Sequence, residues 1–127
     1  MQIIKLFLEP AVKLSASIAY DHSNGHELDI LTKGAEYILN TMKKYFMELN
    51  DAVTRRQIYT DLNEHFLLLK KFQTIYDYKI IVDETNNVPT TIDLNEFVVD
   101  AYFKFTKSLK MPSFIHCLME PYPIKVV

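Results

Sequence analysis

Residues 76–106 read Y-D-Y-K-I-I-V-D-E-T-N-N-V-P-T-T-I-D-L-N-E-F-V-V-D-A-Y-F-K-F-T, and two alternating runs within this stretch decide the fold. Tyr76, Tyr78, Ile80 and Val82 alternate with Asp77, Lys79, Ile81 and Asp83. Phe97, Val99, Ala101, Phe103 and Phe105 alternate with Val98, Asp100, Tyr102, Lys104 and Thr106. A period of two places successive side chains on opposite faces of a pleated strand, so each run reads as a strand with one well-buried face. A polar connection, Glu84 to Glu96, separates them.

Upstream the period changes. Leu31, Ala35, Ile38, Leu39, Met42, Tyr45, Phe46 and Leu49 recur at three- and four-residue spacings, which predicts a helix over 29–49 with one apolar stripe. Asn50-Asp51 interrupts the pattern, and either residue can cap a second helix over 52–72. That helix directs Val53, Ile58, Leu62, Phe66 and Leu69 inward. Residues 2–8 read as a short strand or extended arm, 11–20 show no clear period, and 21–26 form a polar turn. Downstream, 114–119 predicts a third strand, and Pro121 and Pro123 favour an extended tail. The expected class is α+β: a two-helix layer on a small mixed sheet of three or four strands, with extended N- and C-terminal arms. The expected segmentation is an arm or linker over 1–27, a domain over 28–118 and a C-terminal arm over 119–127. Such a sheet has open edges, which terminal strand-like segments can cover, either in the same subunit or in a neighbour.

Composition excludes several function classes. The 127 residues suffice for one core without metal or disulfide staples. A net charge of −2 gives no electrostatic case for nucleic acid or an anionic membrane. The lone Cys117 precludes an intrachain disulfide framework and fits a reducing compartment. Gly25 and Gly34 are the sole glycines, so no glycine-rich phosphate loop exists. Eight Phe and eight Tyr supply contact area for a dense core or an adhesive interface.

Candidate chemistry is sparse. His22 and His26 flank a turn, without further ligands to complete a zinc set. His65 reads as a partly exposed helix residue. His116 and Cys117 are adjacent in a strand and point to opposite faces, poor geometry for a thiol–imidazole pair, so a buried structural cysteine is expected. Asp83-Glu84 and Asp93 with Glu96 resemble paired carboxylates, but they bracket Thr85, Asn86, Asn87, Thr90 and Thr91, residue types that bond nearby backbone in turns. Asp93 is expected to cap a short turn through Glu96. Arg55-Arg56 sit at the second helix's start, where cations are disfavoured by the macrodipole.

Taken in order, Asp83, Glu84, Thr85, Asn86 and Asn87, then Pro89, then Ile92, Asp93, Asn95 and Glu96, then Asp100, Tyr102, Lys104, Lys107 and Ser108 form a spaced motif. It resembles the signature near the C-terminus of contractile tail sheath proteins of myophages and related injection systems. The resemblance covers roughly Asp29 to Leu118 and is strongest from Asn50 to Ile115; residues 1–27 match nothing in it. Departures are Lys107 in place of Arg, Phe105 in place of Pro, and a lengthened step to Phe114-Ile115. Family proteins are several times longer, so the likeness is to their inner C-terminal domain. It implies a structural sheath subunit in a virion tail, assembled in the host cytoplasm, polymerising around a tube with arms that add strands to neighbours. Implied partners are further copies of itself, the inner tail tube protein and baseplate or neck proteins, with no nucleic acid and no membrane. It implies no catalysis and no cofactor or metal. Arg55, Arg56, Phe114, Ile115 and Leu118 are the candidate inter-subunit or tube contacts, although Arg55-Arg56 also read as a solvated face or a local pair with Asp51. The alternatives are a non-contracting tail or baseplate component that binds sheath, and, from another class, a small α/β enzyme using residues 83–96.

Overall fold

The computed structural model describes residues 2–8 as backbone and residues 13–20, 25–107 and 112–120 in full. The elements run β1 (Gln2–Leu8), β2 (Lys13–Tyr20), α1 (Gly25–Lys43), α2 (Ala52–Lys71), β3 (Asp77–Ile81), α3 (Pro89–Asp93), β4 (Phe97–Lys104) and β5 (Ser113–Glu120). The five strands form one sheet in the order β1-β2-β5-β4-β3, and every pairing is antiparallel. The α+β class, with two helices layered on a small sheet, is as the periodicities require. The sheet is larger than the expected three or four strands and is not mixed. Residues 105–112 are too few for the crossover that parallel β4 and β5 would need.

The extra strand is β2, in the stretch without a clear period. Leu14, Ala16, Ile18 and Tyr20 face the core while Ser15, Ser17 and Ala19 face away. Alanine stands on both faces and serine is barely more polar, so hydropathy contrast vanishes where geometric alternation persists. Residues 2–8 and 13–20, expected in an arm, therefore belong to the sheet: β1 pairs with β2, and β2 with β5. Likewise β5 extends through Met119 and Glu120, into the expected C-terminal arm, and the rest of that arm, 121–127, lies outside the described residues.

Both helices cover one sheet face. Leu31, Ala35, Ile38, Leu39 and Met42 carry α1 onto β2 and β5, and Ile58, Leu62 and Phe66 carry α2 toward β3. Phe66 is fully buried, edge-on to Phe103 with ring centres 5.0 Å apart and tilted against Tyr78 at 6.0 Å. Tyr37 of α1 stacks on His65 of α2 at 3.8 Å, and desolvation there lowers the imidazole's pKa. Tyr45 donates to Asp61 at 2.7 Å, which ties the end of the first stripe to α2 and pushes the phenol up to about 12. The stripe stops short of expectation. The helix ends at Lys43, a turn of three-residue hydrogen bonds follows, and Phe46 and Leu49 are exposed. Val53, expected inward, is also exposed, as is Tyr76, just before β3.

Helix ends follow capping chemistry. Asp51 is the cap of α2, accepting from the Thr54 N–H at 2.9 Å. At the other end Gln73 adopts a left-handed conformation (φ 60°), donating to Lys70 O, while Thr74 donates to Leu69 O. This paired closure normally takes glycine. Gly34, conversely, lies inside α1, and a β-carbon there would meet Ile115, Phe66 and Phe103 at 3.7–4.0 Å, ordinary contact distances. Gln73→Gly and Gly34→Ala should therefore each stabilise the fold by about 0.5–1 kcal/mol, read by urea unfolding. A loss of stability in Gly34→Ala would show that the helix sits closer to the sheet than described.

Candidate functional site

The spaced motif maps onto the connection from β3 to β4 and onto β4 itself. Asp83 turns the chain: its carboxylate accepts from the Thr85 N–H at 2.9 Å and from the Thr85 hydroxyl. Those bonds, the hydroxyl's first, hold its pKa below the ordinary carboxylate range. Asn86 accepts from the Asp83 N–H at 3.0 Å and donates to Ile81 O at 2.7 Å and to Asp100 at 3.0 Å. Asn87 is 1% exposed. Its carboxamide donates to Val98 O and accepts from Val98 N, both at 2.9 Å, as a backbone peptide would in a ladder. Pro89 opens α3 at a position where its missing N–H costs nothing.

Asp93 is not the cap expected of it. Val88 precedes the first turn, and Asp93 closes α3 at its C-terminal end, exposed. The left-handed residue that ends this turn is Asn95 (φ 57°), donating to Ile92 O while Glu96 donates to Thr91 O. Asparagine tolerates this conformation better than most side chains. The carboxylates of Asp83, Glu84, Asp93 and Glu96 thus border a connection whose amides carry the structure. Among the described residues no three His, Cys, Asp or Glu side chains gather as a metal set.

The network extends to the helices. Arg55 Nη1 donates to Asn50 Oδ1 at 2.8 Å and to Asn50 O at 3.2 Å. Asn50 Nδ2 then donates to Asn87 Oδ1 at 3.0 Å and to Glu96 O at 2.9 Å. Through its guanidinium's bonds to Asn50, Arg55 stitches the α1–α2 joint to the β3–β4 connection. Arg56 is exposed.

On the face away from the helices, Asp100 and His116 stand directly opposite across β4 and β5, with Asp100 Oδ1 and His116 Nδ1 2.6 Å apart. Next to them Tyr102 and Phe114 pair with ring centres 4.8 Å apart. The Asp100 hydrogen bond raises the His116 pKa above the ordinary imidazole range. Cys117 faces the other way and is fully buried, which pushes its thiol far up. Of the candidate contacts, Ile115 is fully buried in the core, because the phase of β5 sends it inward. Phe114 and Leu118 are half-buried on the open face. Lys107 is exposed, and Ser108 lies outside the described residues.

A family model, the phage tail sheath C-terminal domain, matches residues 28–114. The chain belongs to this family. The sheath domain is 35% identical over 91 residues to the tail sheath protein of Vibrio phage KVP40, covering 72% of this chain and 13% of that protein. It is 37% identical over 67 residues to the tail sheath protein of Enterobacteria phage T4, covering 53% of this chain and 10% of that protein. The chain thus spans only a small part of the curated relatives' length. No solved structure matches the sheath domain.

Two outcomes follow from this geometry. Asn87→Ala should cost about 2–4 kcal/mol, since it leaves the Val98 N–H and C=O without side-chain partners and removes one of the acceptors of Asn50; a thermal or urea melt within 0.5 kcal/mol of the parent would contradict the role given to Asn87. With its folded pKa raised, His116 contributes stability that is fully present below pH about 6.5 and lost as pH rises through the folded value. The stability gap between the parent and His116→Gln should therefore shrink from pH 5 to pH 9, and the opposite contribution of His65 cancels in that difference. Parallel curves would count against the pair.

Proposed function

We propose that this chain is a structural subunit of a contractile tail sheath, polymerising around an inner tube and carrying out no catalysis. The carrying observation is its membership of the sheath C-terminal domain family over 28–114. The geometry agrees with such a role. The motif's two amides, Asn86 and Asn87, tie β3 and β4 to the joint of the helix pair, and their side chains hold the domain's shape. Two strand edges, at β1 and β3, stand at the borders of the sheet and can accept a further strand from a neighbour.

The donor of that strand is not β5, which lies between β2 and β4. We assign the donating role to residues 121–127, P-Y-P-I-K-V-V. Arg56 is the better candidate for a charged contact with tube or neighbour, because Arg55 is engaged with Asn50. The expected partners remain other copies of the chain and the tube protein, with baseplate or neck proteins at the ends, in a virion tail assembled in the host cytoplasm. No helix among the described residues is long and apolar enough to cross a membrane.

The test is co-expression with the tube protein and imaging of the particles by electron microscopy. Helical sheath around the tube is the expected result. Arg56→Glu should lower the yield of assembled particles with an unchanged melting temperature, whereas Arg55→Ala should lower the melting temperature itself. A chain lacking 121–127 should stay folded yet fail to enter the lattice; normal assembly would remove strand donation by this segment. Particles in which the chain decorates sheath only at one end would favour the baseplate reading instead.

A further inference from the structure

The end of the first apolar stripe that the fold leaves unburied, Phe46 and Leu49, lies in the turn after α1 beside Met47; the three are 40%, 77% and 81% exposed. They form one wall of a groove of about 550 Å³ whose floor includes the buried Phe97 and Met119. Its described border carries Glu48, Asp51, Glu96 and Glu120 and no Lys, Arg or His. An occupant suited to this site is apolar, extended and basic.

We infer that the occupant, in the unassembled subunit, is the chain's own segment 121–127. Three observations carry this. Glu120, the residue before it, is itself part of the groove wall, so the segment starts at the site. Its sequence, P-Y-P-I-K-V-V, offers Tyr122, Ile124, Val126 and Val127 to the apolar wall and Lys125 to the acidic border. Proline at 121 and 123 disfavours helix and favours an extended backbone, the shape a groove accepts. Seven extended residues span at most about 24 Å, ample to cross the groove. This contact is independent of whether the chain builds a sheath. In a subunit that does assemble, it would keep the segment from neighbouring sheet edges until a partner displaced it.

The test is disulfide trapping in the full chain at micromolar concentration. Leu49→Cys combined with Val126→Cys should close an intrachain bond under mild oxidation, seen as a faster-migrating monomer on a non-reducing gel and confirmed by peptide mass. Cys117 stays silent, being fully buried with its thiol pKa pushed up. Lys107→Cys with Val126→Cys is the control, since Lys107 follows β4 at the end opposite Phe97, and the strand alone spans about 23 Å. Adding Lys125→Glu should slow closure roughly threefold, the size of one exposed ion pair. Crosslinked dimers whose share grows with concentration would overturn the assignment in favour of a second copy's segment. Closure no faster than in the control would overturn it outright. Circular dichroism of each variant establishes that the fold is retained, so a failed trap is read as absence of contact.

Discussion

The buried carboxamide of Asn87 is the constraint on which this domain's geometry depends. A strand leaving β3 must give up its ladder where the chain turns into α3, and that would strand the Val98 N–H and C=O of the neighbouring strand in a dry interior. Asn87 satisfies both with one side chain. Because its oxygen also accepts from Asn50, which Arg55 holds, the same group fixes the angle between the helix pair and the sheet. A hydrophobic residue of similar volume would fill the space but leave these buried groups unpaired, which is costlier than any packing it would gain. In this family member Asp83, Thr85, Asn86 and Asn87 of the D-E-T-N-N sequence all take part in the hydrogen bonds that shape the connection.

That constraint also explains what could be read from the sequence. Strong alternation in β3 and β4 and the stripe in α1 and α2 were legible because Ile, Phe and Leu contrast sharply with Asp, Lys and Glu. The β2 strand was not, since alanine and serine on opposite faces give no contrast; its pairing with β1 and β5 reveals it. The Asp100–His116 pair was equally hidden. Its partners are 16 residues apart, and only the register across β4 and β5 puts them opposite one another. Arg55 and Arg56 looked alike as neighbours on a helix, and they part company only because a helical step of 100° turns one toward Asn50 and leaves the other in water.

The helix pair shows how a mispredicted boundary carries information. The periodic stripe ran to Leu49, but Asn50 is needed at the joint with Asn87, and a helix continuing to that point would carry it elsewhere. The chain leaves helix at Lys43, continues in a tighter turn of three-residue hydrogen bonds, and exposes Phe46, Met47 and Leu49. Polar registration at the joint has outweighed burial of Phe46 and Leu49.

The pairing of β2 with β5 has a kinetic consequence. Ala16 meets Cys117 across a chain separation of about a hundred residues, whereas the contacts between β3 and β4, and of α1 with α2, are far more local. Closing so long a loop comes late, because its entropy must be lost before the contacts that reward it can form. On the ribosome, the β1–β2 hairpin, the helix pair and the β3–β4 ribbon can form while the second edge of β2 waits open for residues 113–120 to emerge. The interval between those events is when this chain is most exposed to pairing with the wrong strand, and its length is set by translation speed as much as by stability.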